Sequence, residues 1–139
     1  MLRLFLVPVF GWSLIMAWSA PAGGQQCERH PELCVDAVCK QVSEIHCDDA
    51  ADLDRLLHAC TGNYNGECVR VSCGFLRAPD CNDVSDVTQI ASACANNVDG
   101  NCVTTICRRL GSTGCNSLAK VTRVARQCGR ANPYAIPCQ

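Results

Sequence analysis

The chain has 139 residues, of which 14 are cysteines, and a formal net charge of −1 at pH 7. Only 5% of the residues are aromatic, so burial alone would give a marginal core and cross-links are expected to supply the remaining stability. The cysteines include no Cys-x-x-Cys or Cys-x-Cys pair, which argues against zinc and cluster sites and favours structural disulfides in a secreted chain. We expect no cofactor and no nucleic-acid partner.

The first 24 residues have the layout of a secretory signal peptide. Arg3 is followed by an apolar run over residues 4–19 and then by small residues. A membrane-spanning helix needs about 20 apolar residues, and this run is shorter. The sequence therefore predicts a signal peptide over 1–24, cleaved after Gly24 or alternatively after Ala22, and one secreted extracellular domain over 25–139 with no transmembrane segment.

The cysteines recur with a period of 34 residues. From Cys34 onward their separations run 5, 8, 13 and 8 and then repeat. As a result Cys47, Cys81 and Cys115 are successive copies of one position. Such self-similarity indicates a repeat array, in which each small unit packs chiefly on its neighbours and binding uses the surface of the stack.

Each copy contains one amphipathic segment. In the first copy Leu53, Leu56 and Leu57 recur at the spacing of one helical stripe, and the later copies hold apolar residues in the same register. The pattern predicts long helices over 48–60, 82–94 and 116–128. The residues expected to cap them are Asp48, Asn82 and Asn116, each directly after a cysteine.

A turn and a short segment follow each of the first two long helices. Gly66 and Gly100 occupy equivalent places in the turns. The short segments 34–39, 68–73 and 102–107 have apolar residues three apart, which favours helix, although their β-branched content leaves a strand open. The predicted fold is all-α: a small disulfide-stapled helical repeat array of about three stacked αα-hairpins.

Geometry limits how the cysteines can pair. Two cysteines 13 residues apart on one helix lie about 20 Å apart, whereas a disulfide needs Cα atoms roughly 4.4–6.8 Å apart. Pairing across every eight-residue interval instead uses all fourteen cysteines. The predicted bridges are Cys39–Cys47, Cys60–Cys68, Cys73–Cys81, Cys94–Cys102 and Cys107–Cys115, with Cys27–Cys34 and Cys128–Cys138 at the two ends.

No catalytic or metal-binding pattern is present in the sequence. The three histidines, His30, His46 and His58, are scattered, and no hydrolase, zinc-protease or phosphate-loop motif occurs. The segment 99–101 lacks the spaced carboxylates and the closing Glu of a calcium loop. We therefore expect neither an enzyme nor a metal site.

Charge is distributed unevenly along the chain. Residues 25–99 hold all thirteen acidic residues and five basic ones, a formal charge of −8, whereas residues 100–139 hold six basic residues and no acid. This asymmetry is either a solvated face or a patch for an acidic protein surface, a sulfated glycan, an anionic lipid or the acidic end of a second copy bound head to tail. The candidate partner-binding residues are Arg108, Arg109, Lys120, Arg123, Arg126 and Arg130, with Tyr64 and Tyr134 as possible aromatic anchors.

Three functions fit a stapled scaffold without a catalytic site. The first is a secreted signalling ligand, growth-factor-like or pheromone-like, for an extracellular or cell-surface protein. The second is a secreted toxin or antimicrobial effector, and the third is a structural component of an extracellular matrix. No residue in the sequence distinguishes among them.

Overall fold

A computed structural model describes residues 29–42, 47–77 and 79–131, and over these residues the chain forms α-helices and no strand. The six helices are α1 (Pro31–Gln41), α2 (Ala50–Cys60), α3 (Glu67–Gly74), α4 (Val84–Ala93), α5 (Asn101–Leu110) and α6 (Leu118–Ala131). The all-α prediction is confirmed, and the short segments are helices. None of these helices is long and apolar enough to cross a membrane. The predicted signal peptide, Cys27, His46, Tyr134 and Cys138 lie outside the described residues.

The helices form two layers. The helices predicted to be long, α2, α4 and α6, have 11, 10 and 14 residues and pack side by side. The helices predicted to be short, α1, α3 and α5, have 11, 8 and 10 residues and form a second row. We keep the names long and short for the two rows. Each short helix packs on the long helix that follows it in the chain, so the hairpins are α1–α2, α3–α4 and α5–α6. The repeating unit is thus a short helix followed by a long one, rather than the predicted long helix followed by a short one.

The long helices begin two residues later than the sequence pattern predicts. Asp49 caps α2, and its carboxylate accepts hydrogen bonds from the backbone N–H groups of Ala51 and Asp52. Asp83 caps α4 in the same way, with the N–H of Asp86 at 2.9 Å from its Oδ1. The prediction that Asp48 and Asn82 are the caps is therefore wrong. The cap is the second residue after each cysteine. The residue between the cysteine and the cap joins the disulfide loop to the helix.

The third long helix follows the same rule. Its first turn is closed by the carbonyl of Ser117, which accepts from the N–H groups of Lys120 and Val121 at 3.0 and 3.1 Å. Asn116 had been expected to cap this helix, but its side chain accepts from the ammonium group of Lys120 instead.

Twelve cysteines in the described part of the chain form six disulfides of two kinds. Three bridges span eight residues, and three span 26. The short-range bridges are Cys39–Cys47, Cys73–Cys81 and Cys107–Cys115. The long-range bridges are Cys34–Cys60, Cys68–Cys94 and Cys102–Cys128, with Cα–Cα distances of 5.7 to 5.8 Å.

Four predicted pairings are wrong: Cys60–Cys68, Cys94–Cys102, Cys27–Cys34 and Cys128–Cys138. The reason is the direction of the chain after each long helix. A short helix and the long helix after it are antiparallel, so the first cysteine of one lies beside the last cysteine of the other. The turn after Cys60 carries the chain into the next hairpin, where Cys68 pairs with Cys94 instead.

Neighbouring hairpins approach closely at two equivalent glycines. Gly66 has φ +74°, and a Cβ added to it would lie 2.8 Å from the Cα of Cys34. Gly100 has φ +70°, and its added Cβ would lie 3.1 Å from the Cα of Cys68. These positions need glycine both for the left-handed backbone and for the contact, since each brings the start of one short helix against the preceding short helix.

Two buried asparagines set the register between the long helices. Asn63 donates through Nδ2 to the carbonyl of Ala91 at 2.8 Å, and Asn97 donates to the carbonyl of Ala125 at 3.0 Å. Both side chains are almost completely buried. Each bond joins the turn after one long helix to the next long helix, 28 residues away in sequence.

Candidate functional site

The candidate site is a groove on the outer surface of α4 and α6, here called the basic groove. It has a volume of about 510 Å³. Three arginines give it its charge, and the uncharged residues that complete its lining were not predicted from the sequence. The lining residues are Gln89, Ala119, Thr122, Arg123, Arg126, Gln127 and Arg130.

The helical period of α6 places the three arginines outside. Val121, Val124 and Ala125 are buried against the rest of the array. Arg123, Arg126 and Arg130 lie at spacings of three and four residues and are exposed. One helix surface therefore carries three positive charges over about two turns.

The guanidinium groups of the basic groove are available to a ligand. Within residues 29–42, 47–77 and 79–131, none of the three arginines forms a salt bridge. Each guanidinium has five N–H donors in a planar arrangement that matches two oxygens of a carboxylate or sulfate group. The groove can therefore bind an anion by charge-assisted, bidentate hydrogen bonds.

Lys120 has a different role from these arginines. Its ammonium group donates to the carbonyl of Thr113 at 2.8 Å and to Oδ1 of Asn116 at 3.0 Å. These bonds hold the loop before α6. Lys120 does not line the basic groove.

Arg108 and Arg109 also lie apart from the basic groove. They occupy the exposed last turn of α5, where a positive charge interacts favourably with the free carbonyls at the helix end. Neither residue lines the basic groove. Of the six basic residues predicted as candidates, three line the groove and three do not.

Tyr64 is part of the packing between turns. Its ring is partly buried, and the guanidinium carbon of Arg29 lies 5.8 Å from the ring centroid. Arg29 also donates to Oδ1 of Asn96, and the N–H of His30 donates to the carbonyl of Tyr64 at 3.1 Å. The segment before α1 thus lies across Tyr64, which is a poor candidate for an exposed anchor.

Several acidic residues of the first two hairpins have partners within their own helices. Asp36 pairs with Lys40 at 2.6 Å, and Asp52 pairs with Arg55. Arg70 binds Glu67 and lowers the pKa of its carboxyl below the usual range. These local pairs account for only part of the acidic charge, since Asp54, Asp80 and Asp99 form no salt bridge with another described residue.

The described histidines do not take part in a metal site. His30 has its Nδ1 at 2.8 Å from a carboxylate oxygen of Glu32. A backbone hydrogen bond at Glu32 and the contact with His30 lower the pKa of Glu32. His58 is exposed on α2. Across the described ranges no three His, Cys, Asp or Glu residues are grouped so that they could hold a metal ion.

Comparisons with protein-family models, curated proteins and solved structures gave no match for the chain. Its function must therefore be argued from its own geometry.

Proposed function

We propose that the protein is a secreted, non-enzymatic signalling ligand that binds an acidic surface of an extracellular or cell-surface protein. The observation that carries this proposal is the basic groove. Arg123, Arg126 and Arg130 lie together on one exposed helix surface without salt bridges to other described residues.

The disulfides support a binding role because they hold the groove in place before a partner arrives. Cys102–Cys128 joins the last part of α6 to α5, and Cys107–Cys115 joins the other end of the same hairpin. A helix fixed at both ends loses little backbone entropy on binding. The main entropy cost of binding is then the ordering of the arginine side chains.

The groove lining indicates what kind of partner fits. It contains arginine, glutamine and threonine but no large apolar side chain. Affinity at this surface must come from charge and hydrogen bonds, which suits carboxylate groups on a partner and gives an interaction that weakens with salt. A growth-factor-like or pheromone-like ligand would use such a surface to reach an acidic receptor face quickly and selectively.

The test compares two triple variants with the same net charge. In the first, Arg123, Arg126 and Arg130 are changed to Gln. In the matched control, Lys40, Arg70 and Arg77, which lie in the first two hairpins, are changed to Gln. Binding partners are captured from cell-surface extracts with the wild-type protein, and the affinity of each identified ectodomain is then measured directly at low and high salt.

We expect the groove variant to bind at least about tenfold more weakly, since three charge-assisted contacts are lost together, and the control to bind like the wild type. Equal losses in both variants would show that net charge alone matters. Retention on heparin by the groove, with no ectodomain captured, would make a sulfated glycan the ligand and contradict a protein partner.

A further inference from the structure

The first hairpin exposes apolar positions that are buried in the later hairpins. Leu53 is 37% exposed, whereas its counterparts Val87 and Val121 are fully buried. Leu57 is 49% exposed, and its counterparts Ala91 and Ala125 are also fully buried. We call this surface the first-end face, and it consists of Val35 on α1 and of Ala50, Leu53 and Leu57 on α2.

The repeat explains why these positions differ. The α2 helix packs on α4, and α4 packs on α6. The same helix face is therefore covered by the preceding long helix in the second and third hairpins. No long helix precedes α2 in the described chain, so the first-end face has the shape and chemistry of a surface that receives another helix.

The opposite end of the array is not built to receive a hairpin. Gln127 is exposed there, at the position that Ala59 and Ala93 fill with buried methyl groups. Ala131 stands where Asn63 and Asn97 reach the next helix. A head-to-tail contact between two copies would bury Gln127 and would lack the asparagine bond, so this end is a polar cap.

We infer that the first-end face is a dimer interface, in which the α2 helices of two copies pack antiparallel about a two-fold axis. In that arrangement Leu53 of one copy meets Leu57 of the other, so each leucine pair forms twice. A two-fold contact is closed, because the same face is used up on both copies. The polar cap of each copy takes no part in this contact.

The charges along α2 favour this direction of packing. Asp54 and His58 flank the leucines, one in the first half of α2 and the other towards its end, whereas Asp52 and Arg55 pair with each other away from the leucines. Antiparallel helices bring Asp54 of one copy towards His58 of the other, whereas parallel helices would align Asp54 with Asp54. The basic grooves, on the α4 and α6 side of each copy, then remain exposed in the dimer. Two grooves on one particle would allow bivalent binding to a clustered partner.

The test measures the molecular mass of the disulfide-intact mature protein by sedimentation equilibrium over a wide concentration range. We expect the wild type to approach twice the chain mass and to go no further. The double change Leu53→Asp and Leu57→Asp should return it to the mass of one chain. The matched control is Leu110→Asp, since Leu110 is 53% exposed at the other end of the array and its change should leave the dimer intact.

A second variant separates assembly from folding. Leu57→Ala removes contact area without adding charge, and it should weaken the dimer at least about tenfold while helicity and the disulfide map stay unchanged. A wild type that remains monomeric at the highest concentration would overturn the inference. So would a mass that grows beyond the dimer, which would indicate head-to-tail association, or an equal loss of mass in the Leu110→Asp control.

Discussion

Substitution of two glycines with positive φ can measure the close approach of neighbouring hairpins. Gly100 has φ +70° and ψ 0°, and an added Cβ would lie 3.1 Å from the Cα of Cys68 and 3.2 Å from Val71. Gly111 has φ +72° and ψ −168°, a backbone region open essentially only to glycine, and its added Cβ would meet nothing within 4 Å. Alanine at Gly100 carries the cost of a left-handed residue, about 1–2 kcal/mol, and alanine at Gly111 carries a backbone cost of about 1–3 kcal/mol. Only at Gly100 must the neighbouring short helix also move.

Overpacking of this kind costs typically about 1–3 kcal/mol, so Gly100→Ala should destabilise the protein by about 2–5 kcal/mol and Gly111→Ala by about 1–3 kcal/mol. Both values are reduced by the lower entropy of the unfolded alanine chain, about 0.4–1 kcal/mol. Gly74→Ala completes the series, since Gly74 is helical and has open space around it; it should be neutral or stabilising. The assay is denaturant unfolding with the disulfides intact. A loss at Gly100 no larger than the left-handed cost of about 1–2 kcal/mol would refute the reasoning.

Three further predictions follow from the contacts between and within hairpins. Asn97→Ala should lower the free energy of unfolding by about 1–3 kcal/mol, because it leaves the buried carbonyl of Ala125 without its donor; in denaturant melts, an effect no larger than that of the exposed Asn101→Ala would contradict this. Peptide mapping without reduction should find Cys68–Cys94 and Cys102–Cys128, and intact mass should show no free thiol; a Cys94–Cys102 peptide would show that the hairpins are wrongly assigned. Lys120→Gln should leave the affinity for the captured partner unchanged, because Lys120 binds the loop before α6 and does not line the basic groove. A loss of affinity as large as that of the groove variant would show that Lys120 is part of the binding surface.

The cysteine period and the apolar stripe were sufficient to predict the fold class. A strict repeat of 34 residues and apolar residues at helical spacing are both local signals, and the six helices of the described chain follow from them. The bounds were less accurate at the start of each long helix. Asp49 and Asp83 are capping residues as good as their neighbours Asp48 and Asn82, and the sequence alone does not distinguish which of two adjacent polar residues closes the helix.

Only the bridges that span eight residues could be predicted correctly from the sequence. The helix-length limit correctly excluded pairs at opposite ends of one long helix, but it could not tell whether the turn after Cys60 folds back or carries the chain forward. That choice depends on which short helix packs on which long helix, which is a tertiary property. The buried Asn63 and Asn97 carried a usable signal, since they are equivalent in the repeat and Ala131 replaces them in the last copy.

The basic groove was predicted in part. Helical periodicity predicts Lys120, Arg123 and Arg126 on the outside of the third long helix, and the two arginines line the groove. Proximity in sequence adds Arg108, Arg109 and Arg130, of which only Arg130 lines the groove. Lys120 binds the loop before α6 instead, a contact that helical periodicity does not show.

The pattern of covalent and noncovalent links explains why the two ends of the array can have different uses. Every disulfide among the described residues lies within one hairpin, and none joins two hairpins. Over the described residues, noncovalent contacts hold the hairpins to one another: buried apolar side chains, close glycine contacts, backbone hydrogen bonds and the asparagine bonds. The same kinds of interaction hold separate chains together. An uncovered hairpin face is thus already suited to associate with another chain. In the last hairpin Gln127 stands at the position of Ala93 and Ala131 at the position of Asn97, so α6 lacks the apolar and asparagine contacts that the earlier long helices make with the next hairpin. Under the dimer proposal, the leucines of α2 leave the other end open to a second copy.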